Sequence, residues 1–124
     1  MSFTVDYDLD NDCILVHVKG HFDPSVLHRI AEQVAVFVRV HHCLRVLNDL
    51  TQAKLTPGVA DVYDMPTQAA KAGIENQLKR ALLVKVVSPQ IEFLETVFMN
   101  QGHLVKVFTD RNAALAWLRG EAVS

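Results

Sequence analysis

Three times in this chain a helix-capping residue stands directly before a proline: Asp23-Pro24, Thr56-Pro57 and Ser88-Pro89. An Asp, Ser or Thr side chain accepts from the free N–H groups of a first helical turn, and proline in that turn has no N–H to leave unsatisfied. Each pair therefore predicts a helix start, and each follows a short apolar run, at 13–19, 44–50 and 81–87. Strands joined through helices lie parallel in one sheet.

The chain before the first helix predicts a hairpin. Residues 3–9 and 13–19 are strand-like, and Asp10-Asn11-Asp12 between them favours a tight turn. In the second strand Ile14, Val16 and Val18 share one face, opposite Leu15, His17 and Lys19. The first helix runs to about residue 41, with Val26, Leu27, Ile30, Ala31, Val34, Phe37 and Val38 as its apolar stripe. Val34, Val36, Val38 and Val40 also alternate as a strand would, so two periods compete there. The helix from Thr56 is interrupted by Pro66, which predicts two short pieces closing at Gly73. Residues 81–87 read as a strand covered on both faces, the Ser88 helix stops at Gly102, and 104–108 is the last strand. Thr109 or Asp110 caps a final helix carrying Leu115, Trp117 and Leu118, with Gly120 as its stop. The expected fold class is α/β: one domain over 1–124, with a mixed, mostly parallel sheet of about five strands, about four helices and an antiparallel N-terminal edge hairpin. No linker, repeat or low-complexity segment divides the chain.

Composition narrows the function. A chain of 124 residues buries about two-thirds of its unfolded surface and needs no staple. Half the residues are hydrophobic and 21% are charged, without an apolar run long enough to span a bilayer, so no membrane insertion is expected. A net charge of -2 gives no basic excess for a phosphate backbone, so no nucleic acid is expected as a partner. The small basic groups, Lys79-Arg80 and Arg39 with Arg45, read as solvated flanks. The first twelve residues are acidic and unlike a signal peptide, and Cys13 and Cys43 have no metal or disulfide spacing. A cytoplasmic location with reduced thiols is the expectation.

No catalytic set emerges. Ser25, Ser88 and Thr56 stand where capping explains them, outside any GxSxG elbow, and the five glycines form no GxGxxG or phosphate loop. His17, His21, His41 and His42 lack the convergent spacing of a metal site, so neither metal nor cofactor is expected. Asp61, Asp64, Glu92 and Glu95 read as solvated helix faces. Asp49 stands apart, because ligands of open parallel sheets bind beyond the carboxyl ends of strands and this carboxylate falls at one. It can instead tie down the following loop through backbone hydrogen bonds.

The order of elements and several runs resemble the STAS domain, in its SpoIIAA-like branch. The resemblance covers nearly the whole chain. It is carried by residues 46–50 (VLNDL), 61–66 (DVYDMP) with Gly73, 80–84 (RALLV), 93–97 (FLETV) with 100–102 (NQG), 107–110 (VFTD) and 114–118 (ALAWL). It implies a non-enzymatic regulatory module that binds a protein partner and forms a homodimer, with Asp49, Thr56 and Gly58 as interaction or switch residues. Anti-sigma-factor antagonists of this family are switched by phosphorylation of a serine at a helix start in an Asp-Ser-Ser-Gly-like motif. The matching stretch here is Leu55-Thr56-Pro57-Gly58, so only Thr56 could take a phosphate, and the preceding aspartate is absent. The similarity of this branch to the lipid-binding SEC14 fold implies an alternative, a carrier of a small apolar ligand in a groove beside the broken second helix, lined by Tyr63, Met65, Phe93 and Val97.

Overall fold

The structure, a computed structural model, describes residues 2–21, 26–54, 78–100 and 104–120. Five strands form one sheet in the order β1-β2-β3-β4-β5: β1 (Ser2–Asp8), β2 (Cys13–His21), β3 (Arg45–Lys54), β4 (Lys79–Leu83) and β5 (Leu104–Phe108). β1 is antiparallel to β2 and every other neighbouring pair is parallel. The described helices are α1 (Leu27–His41), α2 (Pro89–Asn100) and α3 (Arg111–Leu118). None of them is long and apolar enough to cross a membrane. The broken helix expected from Thr56 to Gly73, the cap at Asp23-Pro24 and the stop at Gly102 lie outside the described residues.

Strand alternation sends side chains to two cores. On one face Val5, Ile14, Val16, Val18 and Val46 pack against Ala31, Val34 and Ala35 of α1, joined by Leu78 and Cys43. On the other, Cys13, Leu47, Ala81, Leu83 and Phe108 pack against Ala114, Leu115 and Leu118 of α3. Ile14 and Leu47 have no exposure at all, and burial of one such aliphatic side chain is worth about 1.5–3 kcal/mol. In the contested stretch the helical period holds: Val34 is buried and Val38 partly so, whereas Val36 and Val40 face out. A strand there would send Val34 and Ala35 to opposite faces, whereas both are buried on the same side of α1.

Local capping matches the sequence at α2 and α3, whereas the described part of α1 starts after Val26, which supplies no side-chain cap bond. Ser88 Oγ accepts from Ile91 N at 3.3 Å to start α2. Asp110 Oδ2 accepts from Ala113 N at 3.2 Å to start α3, and Gly120, with φ 83°, ends it by donating from its N to Trp117 O at 3.0 Å.

Four expectations are corrected. β3 does not end near Leu50 but runs to Lys54, because Gln52, Ala53 and Lys54 pair with Lys19, Gly20 and His21 of β2 and keep the chain extended. β4 stops at Leu83 rather than 87; its neighbour β5 ends there, at Phe108, and the following Val86 is 75% exposed. Arg80 is no solvated flank: strand alternation turns it inward, and burial pushes its guanidinium down to about 10, still charged at neutral pH. Glu95 is not simply solvated either, because its Oε2 accepts from the Val107 N–H at 2.8 Å and so covers part of the edge strand β5.

The amino end of the sheet, where β2, β3 and β4 begin, is tied together by polar contacts between elements. Asp12, in the β1–β2 turn, pairs with Arg45 and accepts from Tyr7 Oη at 2.6 Å. The Tyr7 ring stacks on His41 at the end of α1, with centroids 4.0 Å apart. Lys79 donates to Trp117 O and lies over the indole ring at 4.5 Å, and Arg119 donates to Asn11 Oδ1 at 3.1 Å.

Candidate functional site at the carboxyl end of the sheet

At the opposite end, β2 and β3 change register. His17 pairs with Asp49 and Lys19 with Gln52, so two steps of β2 oppose three of β3. The extra residue is a β-bulge, a feature that drops an N–H from the ladder and re-aims side chains. Asp49 fits that need. Its Oδ1 accepts from Thr51 N at 3.0 Å and from Thr51 Oγ at 2.6 Å. This is the local tie that the sequence allows for Asp49, made inside a strand rather than in a loop.

The other carboxylate oxygen faces α3. Arg111 Nη1 donates to Asp49 Oδ2 at 3.5 Å, with 44% of the Arg111 side chain exposed against 14% for Asp49. Burial acts to raise the Asp49 pKa, but the Thr51 hydroxyl and N–H outweigh it, helped by the charges of His17 and Arg111, and the carboxyl stays below the usual carboxylate range. A group so held is ionised at neutral pH and already committed to donors, whereas a general base works best with a pKa near the operating pH. What the arrangement offers is an ionic feature of fixed orientation, Asp49 with Arg111, on a rigid strand and a helix start.

Of the residues expected at a site, the structure therefore brings Asp49 together with His17, Thr51 and Arg111. Thr56, Gly58, Tyr63, Met65 and the side chain of Val97 lie outside the described residues, and Phe93 on α2 is 36% exposed. Sequence inspection missed Thr51 and Arg111. Asp-x-Thr is a usable signal for a side chain that bonds two residues on. Arg111 carries no such signal, being 62 residues from its partner.

No family sequence model and no curated protein sequence matches the chain. Solved structures do. The anti-sigma factor antagonist SpoIIAA in its unphosphorylated form is similar with a TM-score of 0.59 at 12% identity, over 96% of this chain and 99% of that one. An anti-sigma factor antagonist from Mycobacterium paratuberculosis is similar with a TM-score of 0.59 at 15% identity, over 95% and 93%. An uncharacterized protein of the DUF3478 family from Shewanella loihica, itself described as SpoIIAA-like in fold, is similar with a TM-score of 0.60 at 16% identity, over 94% and 92%. With the strand order, the antiparallel first strand and the helices on both faces, these likenesses identify the chain's architecture as the SpoIIAA-like, STAS fold.

Proposed function

We propose that this chain is a non-enzymatic regulatory module that acts by binding a protein partner through the carboxyl end of its sheet, around Asp49. The observation that carries it is the Asp49–Arg111 pair, held at that end by Thr51. Open parallel sheets place their ligands beyond the carboxyl ends of strands, and a charge pair on rigid elements supplies orientation and specificity at an interface. The fold shared with two anti-sigma factor antagonists supports the choice of a protein as the ligand, by analogy of architecture. The engaged, ionised state of Asp49 weighs against a proton-transfer role for it.

Capture from native lysate on immobilised wild type and on Asp49→Lys tests this. The expected result is a partner retained by the wild type and lost from the variant, with the variant's circular dichroism unchanged. Arg111→Glu, at a half-exposed position, gives the same test should Asp49→Lys fold poorly. Identical partner sets from all three proteins overturn the proposal. The homodimer implied by the family belongs to the same proposal, and sedimentation equilibrium decides it: a monomer mass overturns that part.

A further inference from the structure

β3 is 10 residues long and β4 only 5, and their pairing ends at Asp49 with Leu83. Beyond that point β3 continues, among the described residues, without a neighbour on this side. Over 52–54 its other side is paired with β2, but no described strand follows on the β4 side. The chain leaving β4 does not fill the space. Val84 N donates to Phe108 O at 2.9 Å, drawing it towards β5, and it then bends at 85–86 to reach Ser88 and α2. A groove of about 240 Å³ results between the overhanging part of β3 and this loop, lined by Leu50, Ala53, Val84, Lys85, Ser88 and Ile91.

We propose, resting on the interaction-module reading above, that this groove takes a short extended segment of the partner protein, added as a strand beside residues 50–54 of β3, with one aliphatic side chain among Leu50, Ala53, Val84 and Ile91 and one carboxylate against Lys85. A strand edge carries polar main-chain groups that another strand satisfies, and side chains at alternate positions then give specificity. Five residues of strand span about 16 Å, the length of a short docking peptide. Lys85 is exposed beside the groove and selects an acidic neighbour by charge. Asp49 takes part indirectly. Thr51 also borders the groove, and Asp49 holds its hydroxyl and N–H in place.

A random peptide display library selected against the intact protein, followed by amide NMR with the tightest-binding peptide, tests the proposal. The selected peptides are expected to join an aliphatic residue to Asp or Glu, and to shift amides at 50–54 and 84–88. Lys85→Glu, and Ala53→Leu as a groove filler, are each expected to weaken binding about tenfold, the effect of one lost ion pair or side-chain contact. Library enrichment of no sequence, shifts centred elsewhere, or shifts of these amides by decanoate and not by peptides would overturn it. Loss of the groove with Asp49-dependent partner capture intact removes this inference and leaves the module standing. Peptide binding in the groove together with capture that ignores Asp49 does the reverse.

Discussion

The two ends of this sheet are built on different terms. At the amino end the strands begin in step, and the charged and aromatic groups of the turn, the helix ends and the strand starts engage each other: Asp12 with Arg45 and Tyr7, Tyr7 with His41, Lys79 with Trp117. At the carboxyl end β3 outruns β4, Val86 and Val87 are exposed, and the Asp49–Arg111 pair is long and partly in solvent. A scaffold fixed at one end can leave the other uneven, and uneven ends are where a rigid sheet presents loops and edges to a ligand. On the function proposed above, stability belongs to the amino end and recognition to the carboxyl end.

The largest expected effect that sharpens this contrast comes from Leu78→Ala. Leu78 is fully buried where β4 begins, and its truncation is expected to cost about 3 kcal/mol in urea unfolding. A cost under about 1 kcal/mol would show that the amino end collapses easily around a void, against the picture of a tightly joined end. Arg45→Ala removes the Asp12 pair and the Nε bond to Asp12 O. Both partners are partly exposed, so the expected loss is about 1 kcal/mol by the same assay.

The pH dependence of the amino end follows from the same group. The Tyr7 hydroxyl, then Arg45, hold the Asp12 carboxyl below its ordinary value against the effect of burial. A depressed folded pKa contributes stability that is present above about pH 4 and lost as pH falls through the folded value. Tyr7→Phe is therefore expected to make the acid arm of the stability curve shallower. Tyr7 itself, through its bond to Asp12, is pushed up to about 12. Its contribution is complete below about pH 10 and is lost as pH rises through the folded value. Ultraviolet titration that places Tyr7 at its ordinary pKa would contradict the bond.

At the carboxyl end the expected effect on stability is smallest. Arg111→Ala is expected to cost less than about 0.5 kcal/mol in urea unfolding, as exposed pairs do. A cost above about 1.5 kcal/mol would make Asp49–Arg111 a structural tie and erase the difference between the ends.

How far the sequence reaches follows from the range of each interaction. The caps at Ser88 and Asp110 and the turn after Asp8 are legible because donor and acceptor are at most three residues apart. The winning helical period over 27–41 is legible from the spacing of Ile30, Ala31, Val34, Phe37 and Val38, once a strand face is granted to receive it. The overhang of β3 is not, because its end depends on the length of β4 and on pairing with β2 beyond a bulge. The burial of Arg80 follows only when both neighbouring strands are known. For the candidate site, Asp49 is singled out in the sequence as a carboxylate at an expected strand end and lies instead inside β3, level with the last residue of β4, while Arg111 is brought to it by the whole fold.

Charge reversal at the two ends of α3 tests the central claim most directly, because the chemical change is the same and only its place in the fold differs. Arg111 lies at the carboxyl end beside Asp49, and Arg119 at the amino end against Asn11. Partner capture is expected to fall at least about tenfold, one ion pair's worth, with Arg111→Glu, and to be unchanged with Arg119→Glu. Equal losses, or loss with Arg119→Glu alone, would contradict the assignment of recognition to the carboxyl end.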